Sequence, residues 1–213
     1  MFAVIFEVNP RPERWDDYLG YARRLKPELE KIDGFLENER FASKRREGWL
    51  VSLSTWRDEK ALIRWRTHAL HHEVQMKGRT EVFLDYRLRV GEIVDDTQIL
   101  DGAALRQQRF DETEIGAAKA ATITEIGFDR LRSEDKDGSN SGEWDLFESI
   151  TQPGKALLLN FWPHIEAARG WPGRPSPALR QRTVRIVRDY GMFSRTEAPQ
   201  YYPPPTRQAA VDE

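Results

Sequence analysis

Two stretches of this chain repeat one another, and the repeat limits the architectures open to it more than any other feature. Residues 50–65 return as 157–171. Trp56 answers Trp162, Ala61 answers Ala167 and Trp65 answers Trp171 at one ungapped offset of 106, which reaches back to Phe41 and Phe147. Further on the register slips by two, so that Asp85 and Tyr86 answer Asp189 and Tyr190. Self-similarity of this kind marks copies of one folding unit. With 213 residues and domains of roughly 100–200 residues the norm, the chain divides into a first unit (1–93), a connector (94–117), a second unit (118–195) and a Pro-rich tail (196–213).

Hydrophobic residues make up 39% of the chain and it carries 7 Trp and 10 Phe, enough apolar material for a packed core. Basic and acidic residues nearly balance, 33 against 35, and the basic ones form no stripe, so nucleic acid is not an expected partner. The absence of cysteine removes disulfides, thiolate metal sites and Cys nucleophiles. Residues 1–8 are apolar but lack a basic leader and run into Asn9 and Pro10, which reads as a first strand and not a signal peptide. No run reaches the ~18 apolar residues of a membrane span, and a cytoplasmic location is expected.

In order, residues 2–8 read as a buried strand, and Trp15, Tyr18, Leu19, Ala22, Leu25 and Leu29 then recur at helical spacing, which predicts a helix over 13–31 that Pro27 kinks or ends early. Gly34 suits the turn that follows. Strands over 35–43 and 49–56 form a hairpin around the charged turn 44–48. A helix capped by Thr55 or Asp58 buries Ala61, Leu62, Trp65 and Ala69 and carries histidines at its far end. A strand over 81–90 alternates Val82, Leu84, Tyr86, Leu88 and Val90 on one face. The order β-α-β-β-α-β is the ferredoxin-like one. The connector holds a short helix near 103–108. In the second copy, strands are expected over 120–128, 144–150, 155–162 and 183–193, with a short helix opened by Pro163. Residues 129–142 are too polar for an amphipathic helix and read as a mobile loop in place of the first helix. Trp162, Trp171 and Tyr190 read as core.

A strand ending in Ser54-Thr55-Trp56, the acidic helix start Asp58-Glu59, Ala61, Trp65, His71 or His72, Gly78-Arg79 and the closing 83–86 together resemble the antibiotic biosynthesis monooxygenase family. The match spans about residues 2–93; the second copy keeps Trp162, Ala167, Trp171 and Tyr190. The resemblance implies an α+β fold in which two ferredoxin-like units with antiparallel sheets close a barrel, here as a pseudo-dimer within one chain. The connector, at up to ~3.3 Å per residue, is long enough to allow that closure. A homodimer is the alternative. The resemblance further implies a cofactor-independent oxygenase acting with O2 on a quinol or polyphenol. The alternatives are a non-catalytic ligand-binding or assembly protein, and a haem-binding or haem-degrading protein, although the first-strand asparagine of the haem-degrading members is not evident.

His68, His71 and His72 fall at three- and four-residue spacing, so that His68 and His72 share a helical face. One of them, with His71 and His72 preferred by the resemblance, can act as a base near neutral pH toward a phenolic hydroxyl. The spacing is not that of a His-Glu-x-x-His metal site, and no metal or bound cofactor is expected. Trp56, Trp65, Tyr86, Phe41 and His68 are the candidates to shape a substrate pocket. Lys44, Arg45 and Arg46 read as a solvated turn.

Overall fold

The apolar start of the chain is paired on both sides. In the computed structural model, which describes residues 1–101, 103–131, 142–171, 180–202 and 205, β1 (Phe2–Pro10) lies between β3 (Leu50–Trp56) and β4 (Phe83–Asp96). β2 (Phe35–Ser43) pairs with the outer side of β3. In the second half β5 (Ala120–Gly127) holds the same central place between β7 (Lys155–Trp162) and β8 (Arg180–Gly191), and β6 (Glu143–Ser149) flanks β7. A short β2–β6 ladder and a long β4–β8 ladder join the halves, so the antiparallel sheet closes in the order β1-β3-β2-β6-β7-β5-β8-β4. Together with its helices this is an α+β barrel.

All eight strands send apolar side chains into the lumen. Ile5, Phe41, Leu53, Ile93, Ile123, Phe147, Leu159 and Ile186 belong to one buried cluster. Each such side chain contributes about 1.5–3 kcal/mol by leaving water. The lumen is capped at its two ends by ions. At one end the fully buried Arg89 meets Glu7 at 2.7 Å, Glu143 at 2.7 Å and Asp189 at 3.3 Å, and Arg46 reaches Glu7 and Asp145. At the other, Arg180 and Arg182 share Glu37, Arg180 also holds Asp96, and Lys155 pairs with Glu39 and Glu125. Arg46 is therefore not only a turn residue. The alternation read in residues 82–90 is not apolar-in, polar-out: Val82 ends a π-helical turn (Gly78–Val82) before β4, Leu84 at the start of the strand is exposed, and Arg89 is buried because the lumen covers one face of β4 and helices the other.

Helices cover the outside. A short 3-10 turn (Pro12–Arg14) leads into α1 (Trp15–Glu30), which buries Tyr18, Ala22, Leu25 and Leu29. Pro27 does not end α1 early: it sits in the last turn and the helix runs on to Glu30. Gly34, at φ +90°, turns the chain into β2 where any Cβ would stand 2.7 Å from Ala61 Cβ. Asp58, not Thr55, caps α2 (Glu59–Arg66) by accepting from Ala61 N–H.

The helix expected to carry the histidines is in fact two. The Thr67 hydroxyl donates to the Ile63 and Arg64 carbonyls, α2 stops, and α3 (Ala69–Lys77) restarts with His68 at its N-cap. The break falls just before His68, whose carbonyl still accepts from the His72 N–H at 2.9 Å, but the two rings meet different neighbours, His68 facing Trp65 and Glu28 and His72 facing Tyr202. Residues 103–108 form no helix; Ala103 and Leu105 instead pack against the lumen core. Across the second half, α4 (Ile165–Arg169) is short and is capped by His164, with Trp162 and Trp171 packed beside it. The loop expected over 129–142 lies largely outside the described residues, as do 172–177 and, apart from Pro205, the chain beyond Tyr202. No described helix is long and apolar enough to cross a membrane.

Candidate active site

The outer face of the first half's sheet forms a floor under the helices. Sheet register brings Arg40, Ser52, Phe6, Leu88 and Tyr190 into one row across β2-β3-β1-β4-β8, and Asn38, Ser54, Val4, Val90 and Arg188 into the next. All ten line a cavity of about 210 Å³. With strands about 4.8 Å apart, each row runs about 19 Å along the sheet. Its middle is apolar and its two ends are polar. Leu25, Leu29, Leu62, Trp65 and Val74, from α1, α2 and α3, form the roof.

Trp56 is fully buried in the cavity wall, its indole N–H donating to Ser54 Oγ at 2.9 Å. His71 is stacked on Trp65, ring centroids 4.2 Å apart. Its Nδ1 lies 2.9 Å from the Trp65 carbonyl, which can only accept, so Nδ1 carries the hydrogen and Nε2 of the neutral ring is the acceptor. Burial lowers the His71 pKa to about 4. At pH 7 this ring is neutral: it can accept a hydrogen bond from a ligand, but it is a weak proton acceptor.

Stability should register that shift. With a folded pKa of about 4 against an ordinary 6.5, the unfolded chain binds the additional proton between those values, so stability present above pH 6.5 is lost as pH falls toward 4. Urea unfolding at steps from pH 7 to pH 4 is expected to show a shallower decline for His71→Gln than for the parent. Equal declines would place the titrating group elsewhere.

The other candidates separate. Tyr86 lines the cavity, and its hydroxyl accepts from Arg79 at 2.5 Å and from Arg195 at 2.7 Å. His68 stands outside the cavity lining, 5.7 Å from Trp65 and 3.9 Å from Glu28. His72 also stands outside it, its Nδ1 3.1 Å from the Tyr202 hydroxyl and its ring stacked on Tyr202. Phe41 points the other way, into the lumen, with the Lys155 ammonium over its ring.

Several cavity residues were not among the candidates. Tyr190, read as core, lies in the floor, its pKa raised by burial to about 12. The segment after β8 crosses the cavity's edge: Arg195 Nη2 donates to the Gln200 carbonyl, Gln200 Nε2 to the Arg66 carbonyl, and Tyr202 packs between His72 and Arg79. Glu197 fixes this segment by accepting from the Thr113 hydroxyl and from the N–H groups of Glu114 and Asp189. The period-two spacing of Arg188 and Tyr190 was the available signal, but it does not say which half of the molecule β8 serves. Among the described residues no three His, Asp or Glu side chains gather as a metal site.

A closed α+β barrel with an apolar, helix-roofed cavity on its outer face defines a small-ligand barrel protein. Comparison with known proteins makes the class specific. The antibiotic biosynthesis monooxygenase model matches residues 1–77. A protein of Pyricularia oryzae named jasmonate monooxygenase ABM is 43% identical over 219 residues, which cover 96% of this chain and 99% of the relative. The chain belongs to the antibiotic biosynthesis monooxygenase family. Among solved structures, an aldoxime dehydratase in complex with butyraldoxime shares the fold at a TM-score of 0.55 and 9% identity, over 87% of this chain and 78% of that one. An antibiotic biosynthesis monooxygenase crystal structure is 23% identical over 37% of this chain and 83% of its own, at a TM-score of 0.33.

Proposed function

We propose that this chain is a monooxygenase of a small, largely apolar molecule of the jasmonate kind, held between the sheet floor and α1–α3. One observation carries the reading: the cavity is lined mainly by the first half's sheet and helices, the part of the chain that the family model largely covers, and the relative named for jasmonate is similar from end to end. His71, neutral and with Nε2 as acceptor, positions a hydroxyl or enol of the substrate. Trp56 and Trp65 shape the slot and exclude water.

Electron balance separates this from a second reading. Inserting one atom of O2 and reducing the other to water takes two electrons. A quinol or polyphenol supplies them itself and then no cofactor is needed; the flat Trp65–His71 stack favours such a ring. A jasmonate-like ketone holds its electrons in strong bonds, and a reductant of the nicotinamide or flavin class must come from solution. The chain is further read as two ferredoxin-like units, 1–93 and 118–195, joined by the connector as an intramolecular pseudo-dimer, with the first unit building most of the substrate cavity and the second supporting it and closing its β8 end.

The test is oxygen uptake by purified protein with jasmonic acid and with a hydroquinone panel, each with and without NADPH and flavin, beside protein-free controls. Uptake with jasmonic acid and reductant is the expected result, with product mass increased by one oxygen atom. Uptake with a hydroquinone alone would replace it with the cofactor-free reading. A Soret band on adding haem, with no uptake, would favour the haem alternative. Saturable binding without turnover would make this a ligand-binding protein.

A further inference from the structure

The cations of the cavity are arranged unlike those elsewhere in the barrel. At the lumen ends and on the connector, Arg46, Arg87, Arg89, Arg109, Arg180 and Arg182 each meet a carboxylate. In the cavity, Arg66, Arg188 and Arg195 meet none among the described residues. The Nε atoms of Arg66 and Arg195 are buried without a hydrogen-bond partner, as are those of Arg40, Arg182 and Arg185, but the Arg195 Nη groups meet only neutral acceptors, the Tyr86 hydroxyl and the Gly191 and Gln200 carbonyls. Arg188 and Tyr190 are two apart on β8 in the floor, the Arg195 guanidinium lies 5.4 Å from the Tyr190 ring centroid, and Arg66, Arg188 and Arg195 all act electrostatically on the Tyr190 hydroxyl, so they converge on one end of the floor. Among the described residues the one carboxylate in the cavity wall, Glu59, is 2.8 Å from Arg109.

Leaving guanidinium groups half-buried and unmatched is costly unless an anion completes them. We infer that the β8 end of the cavity, formed by Arg188, Arg195 and Arg66 around Tyr190, binds the carboxylate of the substrate, and that the substrate class is a monocarboxylic acid with an apolar body. Guanidinium forks match a carboxylate in two parallel hydrogen bonds. From Tyr190 the floor continues through Leu88 to Phe6, about 10 Å of apolar surface, which takes the body of the molecule and directs it toward Trp56 and His71. Arg188 and Arg195, like Tyr190, Gln200 and Tyr202, belong to the second half and the segment after it, so that half supplies the acid anchor for a cavity built mainly by the first. This assignment deepens the monooxygenase reading and rests on it for the molecule's being a substrate, but binding can be measured apart from turnover.

The experiment is titration of the protein with jasmonic acid and decanoic acid, each beside its methyl ester, followed by quenching of tryptophan fluorescence, with oxygen uptake recorded in parallel. The acids are expected to bind at least tenfold more tightly than their esters at low salt. Arg188→Gln and Arg195→Gln are each expected to weaken the acids about 10- to 100-fold, the range for a hydrogen bond to a charged group, and to leave the esters unchanged. Arg195 also holds Tyr86 and Gln200, so a fold defect there would weaken both forms. Arg188 makes no hydrogen bond to a described residue and acts on the Asp111 carboxylate only at longer range, so Arg188→Gln removes the charge with the least disturbance of the fold. Equal affinity for acid and ester, equal loss of both in Arg188→Gln, or no saturable binding of either acid overturns the anchor. Tight, arginine-dependent acid binding with no oxygen uptake under any condition overturns the monooxygenase reading and leaves the anchor standing.

Discussion

Arg89→Ala is expected to lower stability by about 3–5 kcal/mol, the cost of breaking a buried ion pair by removing one partner. Arg89 is fully buried, and its guanidinium bridges β1, β6 and β8 through Glu7, Glu143 and Asp189. Its plane also lies over the Phe161 ring, 3.7 Å from the centroid. Truncation leaves Glu7, itself 2% exposed, with Arg46 as its remaining cation, and leaves Asp189 with Arg87. Burial already raises the Glu7 pKa, so losing Arg89 pushes that carboxyl further toward its neutral form. Urea midpoints at pH 7 measure the loss. A paired Arg89→Met, Glu7→Gln variant removes charge from both sides and should recover part of it. A single variant as stable as the parent would mean that the lattice contributes nothing.

The second large effect is expected at Trp65. Trp65→Ala removes a buried indole from the cluster that joins α1, α2 and the sheet, at about 3–5 kcal/mol for a Trp truncated in a core. It also removes the ring on which His71 lies. With that face opened to water, the desolvation that holds His71 at about 4 relaxes, and its pKa moves back toward 6.5. Trp65→Phe should keep most of the stability and most of the depression. Histidine ring proton shifts followed from pH 3 to pH 8 check this, and a His71 titration unchanged in Trp65→Ala would assign the shift to other neighbours.

Much of the sheet was legible, because Val, Ile, Phe and Leu runs between turn residues need only local pattern to be read. The strands β1, β2, β3, β6 and β7 fall within a few residues of their expected ends. Three things were not legible. The break at Thr67 depends on a hydroxyl bonding back to carbonyls, and the two histidines expected on one face meet different partners, His68 beside Trp65 and His72 on Tyr202. Phe41 alternates correctly along β2, yet alternation alone cannot say which face lies under helices and which faces a lumen. Tyr190 and Arg195 reach the cavity only because β8 pairs with β4 about 100 positions away in sequence. Tyr202, in a stretch that read as a trailing tail, is buried against His72 for the same reason.

Closure of the sheet has a consequence for any attempt to divide the molecule. A fragment ending after β4 would keep the cavity floor as far as Leu88 and Val90, but it would uncover the long edge of β4, the outer edge of β2 and the apolar lumen face between them. Unpaired strand edges beside an open apolar face are templates for pairing with another copy. Such a fragment should be recovered as self-associated material and not as a working miniature, and the second half functions for the first as the chaperone of its edges.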